Sequence, residues 1–157
     1  MRFFFWNQNM LMNPPRRQYT RGLSAADKRM HSKHMKERKE AYKSGNPIKK
    51  APILKSYKHR KSKWVQKFAN AYGISLLDKR AIYKIFGVRP QEQATILKKG
   101  KGAFFSDGSR PAQTPFSWAR GRLASVLLGG PACEIDLPGR CERLRQLKKK
   151  ARSQKEK

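Results

Sequence analysis

Apolar residues are unevenly spread along this chain. Between Trp64 and Leu128 they recur at helical intervals. Trp64, Val65, Phe68, Ala69 and Tyr72 share one face of a helix that Ser62 caps and Gly73 ends. Ser75 reads as the cap of a second helix, with Asp78 three residues on in a short-chain variant of the capping box. Its apolar set is Leu76, Leu77, Ala81, Ile82, Ile85 and Phe86, and Gly87 is its end. Pro90 opens a third helix, which carries Ala94, Ile96 and Leu97 and closes at Gly100. Residues 100–114, rich in Gly and Ser, read as a loop. Thr114 caps a fourth helix with Pro115 at its first position and Phe116, Trp118, Ala119, Leu123, Val126 and Leu127 on one face. Gly129-Gly130-Pro131 stops it. A last helix follows Pro138-Gly139 and spans about Cys141 to Lys150, with Leu144 and Leu147 on one side.

The flanks read differently. Residues 1–23 form an arm in which Asn13-Pro14-Pro15 prevents helix. Its cluster of Phe3, Phe4, Phe5 and Trp6, with Arg16 and Arg17 beyond, suits a groove on another protein or a membrane interface. Residues 24–44 are a basic helix capped by Ser24 and stopped at Ser44-Gly45. It lacks a wide apolar stripe, so it reads as lying on an anionic or acidic surface. Residues 45–60 are an extended basic strap or linker, broken by Pro47 and Pro52, with Ile48, Ile53, Leu54 and Tyr57 as apolar pegs. Residues 61–137 are the helical domain, and 138–157 a basic helix and tail through Lys148, Lys149 and Lys150. Strand signals and internal repeats are missing. The expected fold class is all-α: a small bundle of four to five short helices with long extended basic arms.

Charge narrows the function classes. The 157 residues hold 38 Lys and Arg against 10 Asp and Glu, a formal net charge of +28. Such a chain repels itself when compact and seeks a polyanion, an acidic protein surface or an anionic membrane. No run reaches the roughly 18 apolar residues that span a bilayer. The apolar start, Met1 to Met12, is broken by Asn7, Gln8 and Asn9 and carries no secretory signal. Two cysteines, Cys133 and Cys141, are too few for a disulfide framework or a zinc site and point to a reducing compartment, with a Cys133–Cys141 loop as the alternative. His31 and His34 share a helix face but have no thiol or acidic partner in sequence, so no metal is expected.

Two motifs invite chemistry. Ala69, Gly73, Ile74 and Ser75 have helix-turn-helix spacing, with Lys79, Arg80 and Lys84 on the second helix, although Lys79 stands where a buried aliphatic is usual. Lys99-Gly100-Lys101-Gly102 has the composition of a phosphate cradle but not the Walker pattern. The acids are scattered, and no Ser, Cys or His has a base beside it. Neither an enzyme nor a cofactor or small-molecule substrate is expected.

The most specific segment is Gly108-Ser109-Arg110-Pro111-Ala112-Gln113-Thr114-Pro115-Phe116-Ser117-Trp118-Ala119-Arg120-Gly121-Arg122-Leu123-Ala124-Ser125, followed by Gly129-Gly130. Ser117, Gly121 and Ser125 make one helix face small, so another backbone can approach it. Arg110, Arg120 and Arg122 supply forks for carboxylate or phosphate. This segment, and more loosely Tyr72 to Phe105, resembles an uncharacterised domain of large DNA viruses, including viruses of algae. It departs from that pattern at Pro131-Ala132-Cys133, where a basic residue is expected. The resemblance covers roughly residues 70–137 and implies a viral protein. The combined expectation is a minor capsid protein of the virion that cements larger coat proteins in a hetero-oligomeric shell. Phe3, Phe4, Phe5, Trp6, Ile53, Leu54 and Trp118 would anchor it, and its arms would meet acidic surfaces, the inner membrane or viral DNA. The alternative is a nucleic-acid-binding protein, either DNA-condensing or of the helix-turn-helix type.

Overall fold

The computed structural model describes residues 17–106 and 108–156. A single helical turn, α1 (Arg17–Thr20), precedes seven helices: α2 (Ala25–Ser44), α3 (Lys63–Tyr72), α4 (Lys79–Phe86), α5 (Pro90–Ser106), α6 (Pro115–Leu127), α7 (Pro131–Asp136) and α8 (Cys141–Lys155). No strand occurs among the described residues. The fold is all-α, with more helices than the four to five expected.

The caps explain most boundaries. Ser24, Ser62 and Thr114 accept from the third residue of their helices, and Ser117 completes a reciprocal box with Thr114. Gly45, Gly73 and Gly87 close α2, α3 and α4 in the left-handed conformation that glycine adopts without strain. Several boundaries differ from expectation, and α8 runs to Lys155 rather than to about Lys150. Asp78, not Ser75, caps α4, because its carboxylate receives Ala81 N–H while Ser75 turns back to Leu77 N–H. Pro131 does not merely stop α6 but opens the short α7. And α5 runs through Gly100 and Gly102 to Ser106, so the expected loop over 100–114 begins only after Ser106. Gly100 sits in mid-helix because a β-carbon there would lie 2.7 Å from the Ala119 α-carbon on α6.

The chain forms two compact units. The first comprises the described part of Met1–Lys58 with Ala103–Gln113, and the second His59–Gly102 with Thr114–Lys157.

In the first unit the inward stripe of α2 is polar. Asp27, His31, His34 and Arg38, spaced i, i+4, i+7 and i+11, are all buried. A helix that looked polar all round thus has an inside, and this stripe faces its own chain rather than an anionic partner. The strap and the 103–113 segment meet most of the stripe by hydrogen bonds, although His34 Nδ1 and Arg38 Nε are buried without one. Leu23, Leu54, Phe104 and Phe105 supply the buried apolar surface, and Phe105 stacks on Tyr42 at 4.3 Å.

The second unit has the conventional core. Phe68, Leu76, Ile82, Phe86, Val88, Ile96, Leu123, Leu127, Cys133 and Leu144 pack together. α6 runs through its middle, with Leu123, Ala124, Val126 and Leu127 fully buried. Residues 138–157, set apart in the sequence as a basic tail, are helical almost throughout, and Cys141 and Leu144 belong to this core. Cys133 and Cys141 are joined as a disulfide that ties α7 to the start of α8, which realises the loop alternative.

Candidate polyanion-binding surface

The few acids of the second unit are consumed by structure. Asp136 has a fully buried side chain and receives a two-pronged bond from Arg122, at 2.7 and 2.9 Å, and a contact from Lys99 at 3.3 Å. Arg122 is therefore a staple between α6 and α7, and its fork is already occupied. Glu92 accepts Arg89 N–H at 2.8 Å and an ion pair from Arg140 at 3.0 Å, and these hold its carboxyl below the usual range, the backbone bond most. Glu134 and Glu142 are held by Arg145. Asp78 is a cap. Little negative charge is left to face the remaining cations.

Those cations line several faces. On α4, Lys79, Arg80 and Lys84 are exposed beside Tyr83, while Ile82 and Phe86 point inward. The Arg143 guanidinium lies against Gly87 at the end of α4. On α8, Lys149 and Lys150 are exposed and Lys148 is half-buried. Arg120 is half-buried and stands 5.8 Å over the Phe116 ring, which Lys101 also approaches at 6.0 Å. Trp118 is half-buried. In the first unit Arg110 is half-buried, Leu54 is buried within its own chain and Ile53 is 90% exposed. Phe3, Phe4, Phe5, Trp6 and Arg16 lie outside the described residues, as does the side chain of Arg17.

The helix-turn-helix candidate read at Ala69, Gly73, Ile74 and Ser75 does not have a tight turn. α3 and α4 are separated by the six residues 73–78, whereas α4 and α5 are joined by only Gly87, Val88 and Arg89. Val88 is fully buried. Gln93, 1% exposed, donates its amide N–H groups to Val88 O at 2.8 Å and Lys79 O at 3.1 Å, which locks α5 onto the turn and onto the start of α4. The Lys99-Gly100-Lys101-Gly102 run is helical, so its backbone N–H groups cannot cradle a phosphate.

The polar stripe of the first unit was not singled out from sequence. Asp27 accepts from Ser56 N–H at 2.8 Å and from the Ser56 hydroxyl, and these bonds hold its carboxyl below the usual range. His31 Nε2–H donates to Ser109 O at 2.9 Å, and His34 Nε2–H to Lys49 O at 3.2 Å. Burial pushes the His31 imidazole below its ordinary value, with Arg38 and His34 adding to the effect. Arg38 donates to Phe104 O at 2.9 Å and Ser109 Oγ at 3.2 Å, and its guanidinium lies 3.7 Å over the Phe104 ring. Burial lowers it to about 10, so it stays charged at neutral pH. A cleft beside this stripe is lined by His34, Glu37, Arg38, Glu40, Asn46 and Lys49. Its mixed charge does not suit a polyanion. Gly108 and Ser109, the start of the most specific segment, are buried here; Gly108 has φ +78°, and a β-carbon on it would meet the Met35 side chain. These residues lock the first unit. The one available signal was the 27/31/34/38 spacing itself.

Among the described residues no group of His, Cys, Asp and Glu could hold a metal ion, and no helix is long and apolar enough to cross a membrane. Fold and surface together define a small all-α protein of two units with a cationic exterior. Its sequence matches a family model, described as a family of unknown function (DUF5824), over residues 15–137. The chain belongs to that family. No curated protein and no solved structure matches it.

Proposed function

We propose that this chain is a non-catalytic structural protein of a virus particle: a minor capsid component that bridges larger coat proteins and applies its cationic faces to acidic surfaces, the inner membrane or the genome. One observation carries the reading. The acids of the second unit are spent on caps and internal ion pairs, while Lys79, Arg80, Lys84, Lys149 and Lys150 stay exposed on a chain of net charge +28. A surface of that kind is completed by a negatively charged neighbour. The resemblance of the Gly108–Ser125 segment to a domain of large DNA viruses supplies the setting. Coat proteins are the expected neighbours, and the shell or its inner face the expected location.

The test is quantitative mass spectrometry of purified particles with shell and core separated. A fixed, symmetric copy number in the shell fraction is expected. Absence from the particle, or copies only in infected-cell extract, would rule the proposal out. A second reading, nucleic-acid binding, is favoured by the short α4–α5 turn.

A further inference from the structure

We infer that α4, the turn Gly87-Val88-Arg89 and α5 form a helix-turn-helix that binds double-stranded DNA, with α5 as the helix presented to the major groove. This goes beyond the capsid role and is tested separately from it.

The turn carries the first part of the argument. A helix-turn-helix joins its two helices by three or four residues, often with a glycine, and buries the faces between them. Here the connection is three residues long. Gly87 opens it at φ +69°, Val88 plugs it, and Ile82, Phe86 and Ile96 are each 2% exposed or less beneath it. The buried Gln93 amide on α5 closes the remaining polar gap by bonding Val88 O within the turn and Lys79 O at the start of α4. Reach and angle of α5 are thereby fixed before any ligand arrives.

The outer faces carry the second part. On α5 the residues that turn away from Gln93, Ile96 and Gly100 are Gln91, Ala94, Thr95 and Lys98, of which Ala94, Thr95 and Lys98 are exposed and Gln91 is exposed at the helix start. The Thr95 hydroxyl already donates to Gln91 O at 2.9 Å, so the face offers the Gln91 amide, the Ala94 and Thr95 methyls and the Lys98 ammonium. These suit base edges in the major groove, where Gln pairs with adenine, Lys with guanine, and Ala or Thr methyls meet thymine. On α4 the exposed residues are Lys79, Arg80, Tyr83 and Lys84, a phosphate-contacting set on the helix expected to cross the DNA backbone. Arg143 adds a guanidinium at Gly87. The one acid in the segment from Lys79 to Lys98 is Glu92, and Arg89 N–H and Arg140 already hold it. Duplex DNA meets both faces. An acidic protein surface would answer the lysines and arginines of α4 but leave the uncharged Gln91, Ala94 and Thr95 without a reason.

The experiment uses the full chain and a fluorescently labelled duplex of about 20 base pairs, with affinity read by anisotropy across a salt series. In the triple variant Arg80→Gln/Lys84→Gln/Lys98→Gln, affinity should fall at least tenfold. The slope of log K against log salt should become shallower by about one for each phosphate that is no longer neutralised. A charge-matched control, Lys36→Gln/Lys43→Gln/Lys50→Gln in the first unit, should lose less than threefold. Ala94→Glu sets a carboxylate on the groove-facing side without touching the core and should abolish duplex binding; unchanged melting by circular dichroism confirms its fold. Equal losses in the triple variant and the control would overturn the inference. So would wild-type affinity in Ala94→Glu, or binding confined to single-stranded RNA, an acidic protein or phosphatidylserine vesicles. Absence of the chain from particles would leave this result standing, and failure to bind duplex would leave the capsid proposal standing.

Discussion

Arg38 is a buried cation, and among the described residues no carboxylate lies within ion-pair distance of it. The Phe104 ring, the Phe104 carbonyl and the Ser109 hydroxyl stand in for a counter-ion. A desolvated cation–π contact contributes about 2 kcal/mol, and an unmet buried carbonyl costs about 1–3 kcal/mol. Arg38→Ala should therefore destabilise the first unit by about 2–4 kcal/mol, read as faster amide hydrogen exchange along α2 with α6 amides unchanged. Arg38→Lys should not restore it, because an ammonium lacks the planar fork that serves ring, carbonyl and hydroxyl together. His31 gives the unit a pH dependence. Its folded form holds the proton less tightly than the unfolded chain, so protons favour unfolding. The stability it contributes is complete above about pH 6.5 and is lost as pH falls below that value. Asp27 acts in the same direction at lower pH, because its Ser56 bonds require the carboxylate. Acid titration followed by hydrogen exchange should show α2 opening before α6. His31→Gln, which keeps a donor without titrating near neutrality, should remove the earlier step.

At the scale of elements, caps were legible and contacts were not. Ser24, Ser62, Thr114 and the closing glycines announce helix ends through local hydrogen bonds, which depend on a few neighbouring residues only. Gly100 has the same local signature and a different role: it admits the backbone of α6 at Ala119. Gly100→Ala should tell the two apart. As a helix end in an exposed loop the change would be mild, and in mid-helix alanine is intrinsically favoured by about 1 kcal/mol. Against the Ala119 backbone it should instead destabilise by about 1–3 kcal/mol and lower the melting temperature of the second unit. Thr114→Val, which removes one arm of the capping box, should cost about 1 kcal/mol in the same melt.

For the whole molecule, self-repulsion sets the response to its surroundings. Several ion pairs, such as Lys33–Glu37 and Arg152–Glu156, are exposed and weak, while cations in excess dominate the surface. Added salt should therefore raise the melting temperature between about 0.05 and 0.5 M, because screening relieves repulsion more than it weakens the few pairs. A melting temperature that falls steadily over that range would mean that ion pairs outweigh repulsion. The division into two units also belongs to this scale. Ala103–Gln113 folds with Met1–Lys58 across a long stretch of sequence.

The helical class, most helix ends and the cationic exterior are readable from the chain as written, because propensity, capping and net charge are set by nearby residues or by simple sums. The sequence also marked Trp64 to Leu128 as the apolar core region, since that burial follows helical period. The folded chain alone reveals that Asp27, His31, His34 and Arg38 face inward, that Arg122 is occupied by Asp136, and that the buried Gln93 pins the short turn between α4 and α5. The first two of those outcomes depend on partners distant in sequence: Ser56, Ser109, Phe104 and Asp136. A polar side chain is exposed or buried according to whether such a partner reaches it, and nothing in its neighbours along the chain says so.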